Sequence, residues 1–225
     1  MNGKKVRKAL AFHIPVILLS IVMIYPLAWM IASSLKENSQ IFTQAHSLIA
    51  NPPHWENYVK GWQGSGRYTY ATYFSNSAFV TILSTIGAVA SSSLVAFGFA
   101  RIPFKKKNLW FALLMGTMLL PSQVLVVPQY MVFKSLGWLN TYLPLIIPQF
   151  CGSAFFIFLN MQFMRGVPSE LDEAAKIDGC GWFRTYLSVL LPLSVPSLIT
   201  SAIFSFSWTW QDFLGPLIYL SKPKK

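Results

Sequence analysis

A chain of 225 residues is long enough for one or two domains, but 54% apolar and only 11% charged residues exclude a water-soluble fold, whose composition is roughly 25% charged. A net charge of +11 would suit nucleic acid in a soluble protein. Here the bases sit in short loops between apolar runs, so they read as membrane-orientation signals and no nucleic-acid partner is expected.

Five windows lack Asp, Glu, Lys and Arg: 9–35, 68–100, 108–133, 135–164 and 185–211. Each exceeds the roughly 20 residues a helix needs to cross a bilayer, and their length and unbroken apolarity favour helices over the short alternating strands of a barrel. The expected fold is therefore an all-α membrane protein, a polytopic helical bundle forming a single transmembrane domain over 1–225. Its spans are placed at 11–34, 74–99, 109–132, 142–163 and 192–213. The first window is longer than a signal-peptide core and more spans follow it, so it reads as an uncleaved helix.

The external loop 36–72 is punctuated by Asn51-Pro52-Pro53, Gly61, Gly64 and Gly66, with Trp55, Tyr58 and Trp62 available for a small cap or an interfacial seat. Pro121 and Pro128 are candidates to kink or break the third span, with a re-entrant piece near Pro128–Leu136 as an alternative. Orientation follows from the bases. Lys4, Lys5, Arg7, Lys8, Arg101, Lys105, Lys106, Lys107, Arg165, Lys176 and Arg184 fall on one side. Lys36, Lys60, Arg67, Lys134, Lys222, Lys224 and Lys225 fall on the other. That division of 11 against 7 predicts a cytosolic N-terminus. Cys151 and Cys180 have no metal-ligand or disulfide spacing and read as packing residues.

Four of the seven acidic residues, Glu170, Asp172, Glu173 and Asp178, crowd into the loop between Arg165 and Arg184. Pro168-Ser169 predicts a helix start with Ser169 as N-cap, acids in the first turn suit the positive end of the helix dipole, and Gly179 ends the helix in a left-handed conformation. Leu171, Ala174, Ala175 and Asp178 share one face, and the two alanines allow close approach by a partner. About ten residues make a marginal helix in water. Trp182-Phe183-Arg184-Thr185-Tyr186-Leu187 then reads as an interfacial segment leading to a span that Pro192 opens. From spacing alone a docked helix and a solvated loop are equally good readings.

The stretch Glu173-Ala174-Ala175, three residues, Gly179, nine residues, then Val189-Leu190-Leu191-Pro192 resembles the EAA loop of ABC importer permeases, with Val189 in place of the usual isoleucine. Gly166-Val167-Pro168-Ser169-Glu170-Leu171-Asp172-Glu173, Leu136-Gly137-Trp138-Leu139-Asn140-Thr141 and Trp210-Gln211-Asp212-Phe213-Leu214-Gly215-Pro216-Leu217 resemble the carbohydrate subgroup of maltose-type permeases, with Gln211 where asparagine is more usual. The resemblance implies a coupling loop over 165–190. Glu173, Ala174, Ala175, Asp178, Gly179 and Pro192 are its ATPase-coupling residues. The implied partners are an ABC ATPase dimer, a second permease subunit, an extracytoplasmic solute-binding protein, a sugar substrate and the lipid of a bacterial inner membrane. ATP would be bound by the partner ATPase, since this chain has no G-x-x-x-x-G-K-[ST] loop and is not expected to be an enzyme or to carry a cofactor. The resemblance also implies six spans, so the five seen here leave a C-terminal span missing.

Neutral polar residues available to line a path are Asn76, Gln123, Gln129, Gln149, Asn160, Gln162 and Gln211. Polar groups in membrane helices also bond their own backbone or join helices, so no substrate contact is assigned among them. Two other readings stand beside the sugar importer: a truncated, transport-incompetent permease fragment, and an ion-coupled secondary transporter. The last is disfavoured because no acid lies within the first four spans, whereas coupling ions need ionisable groups inside the membrane.

Overall fold

The computed structural model describes residues 3–64, 66 and 68–221. Arg67, Lys222, Lys224, Lys225 and the side chains of Lys4 and Lys5, which enter the charge count above, lie outside the described residues. Helices dominate, and no strand occurs among the described residues. Three helical stretches are long and apolar enough to cross a membrane: Arg7–Ser34, Tyr70–Arg101 and Leu143–Arg165. Two further pairs meet the same criteria together but are sharply bent, and counting each as one span makes five. The chain divides into two compact units at Phe74 and Ser75.

In the first unit, α1 (Gly3–Ser34) is continuous despite Pro15 and Pro26 inside it. Its large apolar side chains from Leu10 to Ile31 are exposed along the helix, as expected of a helix that meets lipid or a protein partner rather than water. Two short helices follow, α2 (Asn38–Thr43) and α3 (Glu56–Gln63). Lys36 is buried, and its ammonium donates to the carbonyls of Gln44 (2.9 Å) and Ser47 (2.6 Å). The Asn57 amide donates to the carbonyls of Ser34 (3.0 Å) and Lys36 (2.8 Å), and the Trp29 indole donates to Ala45 (2.7 Å). These bonds give the segment after α1 a small folded cap. Trp55 stacks on Tyr58 and Trp62 on Phe74 along its exposed side.

The second unit is built on α4 (Tyr70–Arg101), whose Ser84, Ala88, Ser92 and Ala96 form a fully buried stripe at four-residue spacing. Small residues let neighbouring backbone approach closely. What approaches is the broken stretch comprising α7 (Leu143–Ile146), a 3-10 turn (Ile147–Cys151) and the Gly152 kink before α8 (Ala154–Arg165). Breaking a helix inside a membrane frees backbone groups that lipid cannot satisfy, so protein must do it. The α4 serines supply the bonds. The Ser84 hydroxyl donates to Leu145 (3.2 Å), the Ser91 hydroxyl donates to Gln149 (3.3 Å), and the Ser92 oxygen accepts from the Ser153 amide (3.0 Å).

Between these, α5 (Lys107–Met118) and α6 (Ser122–Ser135) meet at 98°. The break falls at Leu119–Pro121, and Pro128 lies inside α6. A helix meeting α5 at this angle is a broken span or a re-entrant piece, and it begins at Ser122 rather than at Pro128. Pro121 dominates because it sits just ahead of the new helix, where a missing amide proton costs no helical bond.

The last span also differs from expectation. Pro192 lies in the three-residue α11 (Leu191–Leu193), ahead of a 77° bend, and the straight segment is α12 (Val195–Trp210). α12 is followed by the short α13 (Leu214–Tyr219). α12 presents Ser197, Ser201 and Ser205, all buried at four-residue spacing, and packs on α8. Asn160 of α8 ties the pair: its Oδ1 accepts from Ser197 (2.8 Å) and its Nδ2 donates to Ser201 (3.0 Å). Asn160→Leu is expected to lower stability by about 1–2 kcal/mol, the scale of interhelical hydrogen bonds in membranes. Thermal unfolding in detergent checks this.

Candidate functional site

The charged loop folds onto the end of α4. Its helix, α9 (Glu170–Ile177), begins after Ser169. Ser169 occupies the N-cap position, but in helical geometry and with no side-chain cap bond; its carbonyl instead accepts from the amides of Asp172 and Glu173. The side-chain capping role expected of Ser169 is thus not realised, because the preceding turn already carries the chain in helical conformation. The other end matches expectation. Gly179 is left-handed (φ 76°), with its amide donating to Lys176 and that of Cys180 to Ala175. This is the paired-bond C-terminus that satisfies the last carbonyls and favours glycine.

The helix is held by an ion pair that sequence spacing did not single out. Arg101, the last residue of α4, places Nε 2.8 Å from Oδ2 of Asp172, with both side chains about one-tenth exposed. Its Nη2 donates to the Val167 carbonyl at 2.6 Å. One guanidinium therefore clamps both the turn before α9 and the first turn of α9 itself. Asp172 Oδ1 is buried and makes no hydrogen bond. Beyond Gly179, α10 (Trp182–Thr185) leads into a π-helical turn, Tyr186–Leu190. Trp182 receives the Lys176 ammonium over its ring (4.5 Å), Tyr186 packs on Phe97, and the Tyr186 and Ser93 hydroxyls are 2.9 Å apart. Tyr186 and Leu190 join Ala96, Phe97, Ile157, Met161 and Met164 in the apolar core. Both flanks of α9 are thus anchored in the bundle.

Glu173, Ala174, Asp178 and Gly179 lie on the exposed side of this segment, as does Pro192 farther along the chain. Leu171 is exposed as well, and Ile177 is 86% exposed. Ala175 is not on that side. It is buried with Asp172 against the chain's own bundle, so only Ala174 of the two alanines is open to a partner. The outward face runs Leu171, Ala174, Ile177 and Asp178. Ile177 and Arg101 were missed by sequence reasoning. The available signal was an arginine ending a charge-free run of more than thirty residues.

A second feature is a cavity of about 540 Å³ in the second unit. Gln123 and Gln129 of α6, Gln149 of the 3-10 turn, Trp208 of α12, Asp212 and Tyr219 of α13 line it, together with Phe133, Phe156, Ser122, Ser153, Ser205 and Thr209. The Tyr219 hydroxyl donates to Gln129 Oε1 (3.5 Å), and the Gly215 amide donates to Asp212 Oδ1 (3.1 Å). Of the seven polar residues noted from sequence, the cavity gathers Gln123, Gln129 and Gln149. Asn160 is spent on the α8–α12 crossing, and Asn76, Gln162 and Gln211 lie elsewhere. Among the described residues no group of His, Cys, Asp or Glu gathers to hold a metal, and both cysteines are free.

Residues 84–224, which include α9 and the cavity, match the family model of the binding-protein-dependent transport system inner membrane component. The chain belongs to this family. It is thereby an inner membrane component of a binding-protein-dependent transport system. A probable ABC transporter permease protein, YurM of Bacillus subtilis, is 37% identical over 203 residues, covering 89% of this chain and 65% of that protein. The diacetylchitobiose uptake system permease protein NgcG of Streptomyces coelicolor is 31% identical over 94% of this chain and 69% of its own length. The sn-glycerol-3-phosphate transport system permease protein UgpE of Yersinia pestis is 31% identical over 93% and 75%. Among solved structures, a bacterial ABC transporter involved in the import of the acidic polysaccharide alginate superposes with a TM-score of 0.84. The match covers 98% of this chain and 76% of that one at 16% identity, a likeness of fold. The chain spans just under two thirds of the YurM length and 55% of a permease from Pyrococcus horikoshii that is 40% identical.

Proposed function

We propose that the chain is the permease subunit of an ATP-driven importer for a sugar or polyol, with the cavity as part of the translocation path and α9 as the coupling helix seated in a partner ATPase. The observation that carries this reading is the construction of α9. It is a short helix fixed at both flanks to its own bundle, pinned by Arg101, and left with an outward face on which Leu171, Ala174 and Ile177 lie beside the acids Glu173 and Asp178. Such a face gains from burial in a partner cleft, and the clamp passes any push on the helix to α4. Rigid-body switching then requires only that the ATPase bind one permease state better than the other.

Amide and hydroxyl groups mixed with aromatic rings suit a hydroxylated solute, for which each glutamine supplies both donor and acceptor. The N-terminus lies in the cytosol in this reading, on the same side as α9. The partners are an ATPase dimer, a second permease and a solute-binding protein that delivers the sugar.

The test is reconstitution of the chain with its ATPase and second permease in lipid. Sugar-loaded binding protein is expected to raise ATP hydrolysis several-fold. Changing Glu173→Ala together with Gly179→Val is expected to abolish the rise, because the left-handed Gly179 conformation penalises a β-branched side chain. Full stimulation and transport after both changes would overturn α9 as the coupling element.

A further inference from the structure

We propose that Asp212 sets the charge selectivity of the cavity, which admits neutral hydroxylated solutes and rejects carboxylated or phosphorylated ones. The inference rests on the reading of the cavity as a sugar path and adds the class of sugar. The lining contains one ionisable carboxylate, Asp212, and no lysine, arginine or histidine. Asp212 has no ion-pair partner among the described residues, since the ion pairs found there are Arg101–Asp172 and Lys60–Glu56.

Its position is fixed rather than incidental. Asp212 lies in the turn between α12 and α13, and its Oδ1 accepts the amide of Gly215 in the first turn of α13, which holds the side chain at the cavity wall. The remaining polar lining is neutral: three glutamine amides and the hydroxyls of serine, threonine and tyrosine, which satisfy a solute's hydroxyls but offer no countercharge to an anion. Burial first, and the Asp212 carboxylate second, push the Tyr219 phenol above its ordinary range. An anion entering this space would lose water, find no cation and meet a like charge, the arrangement that builds repulsion into a specificity site. A neutral polyol meets the glutamine amides, the hydroxyls of Ser122, Ser153, Ser205 and Thr209, and the rings of Trp208 and Tyr219.

The relatives give this content. UgpE belongs to a transport system for a phosphate ester, and the structural neighbour to import of an acidic polysaccharide. A cavity charged as this one is should not accept either class.

The experiment uses the full complex with its cognate subunits in lipid nanodiscs and two probes of equal length, neutral maltotriose and anionic trigalacturonate. Binding is measured by equilibrium dialysis. Wild type is expected to prefer maltotriose by at least about tenfold. Asp212→Asn is expected to bring the two within about threefold, mainly by improving the anion, while Asp212→Glu keeps the preference. In wild type the preference should also shrink at 1 M KCl, where the Debye length falls to about 3 Å; this arm needs no variant to fold. Equal binding of the two probes by wild type, or a preference unchanged in Asp212→Asn and at high salt, overturns the inference and leaves the sugar path standing. Binding of neither probe overturns the sugar path and the inference with it.

Discussion

Asp172→Ala is expected to destabilise the protein by about 3–5 kcal/mol and to loosen α9 from the bundle. The Arg101 guanidinium is about one-tenth exposed and has the Asp172 carboxylate as its only ion-pair partner among the described residues. Truncating the aspartate leaves a buried positive charge with only the Val167 carbonyl, and uncompensated buried charge is the costly case. Removing both charges is a different matter. Arg101→Met with Asp172→Leu is expected to recover most of the stability, since apolar replacements of a buried pair are often neutral. Thermal unfolding in detergent measures both, and hydrogen exchange over residues 167–178 locates the loosening. A single variant as stable as wild type would mean that the clamp carries little of the seat.

Ile177→Asp is expected to reduce ATP-driven uptake by at least about tenfold without lowering the stability of the isolated chain. Ile177 is 86% exposed at the end of α9. Burying an isoleucine in a partner cleft is worth about 1.5–3 kcal/mol, or roughly 10–150-fold in affinity, and a carboxylate there forfeits that and adds a desolvation cost. Uptake into reconstituted vesicles and unfolding of the separate chain are read side by side. A parallel loss of stability would reassign Ile177 to the fold rather than to coupling.

The two predictions draw on parts of the molecule that sequence revealed to different degrees. The five charge-free windows correspond to the two long helices, the stretch Leu143–Arg165 and the two bent pairs, because freedom from charge over more than 20 residues is a local property of the chain. Gly179 was legible for the same reason: a left-handed helix end is a local preference. Breaks were legible only in part. Pro121 and Pro128 looked alike as helix breakers, yet only Pro121 marks a break, since a proline ends a helix or is absorbed in it according to what its neighbours can satisfy. Ser169 reads as a side-chain cap from residue type alone, whereas its own backbone is helical and its carbonyl takes the amides of Asp172 and Glu173.

The candidate site shows the same division. The EAA spacing singled out the segment proposed to couple, but period alone put Ala175 on the partner-facing side and left Asp172 without its partner Arg101. Which face of a short helix is buried depends on where the bundle lies, and that is decided by Arg101, Phe97 and Ser93 on another helix. The cavity illustrates it again. Gln123, Gln129 and Gln149 are indistinguishable from Gln162 and Gln211 as sequence, and only the breaks at Pro121 and Gly152 and the return of α13 bring the three together.

The central claim is that the outward face of α9 meets an ATPase, and site-specific photocross-linking tests it most directly. A photoreactive amino acid is placed in turn at Ala174, Ile177 and Ala175 in the assembled transporter. Cross-links to the ATPase subunit are expected from Ala174 and Ile177, stronger in the nucleotide-bound state, and none from the buried Ala175. Assembled complexes in which Ala174 and Ile177 cross-link only to lipid or to the second permease would contradict the account.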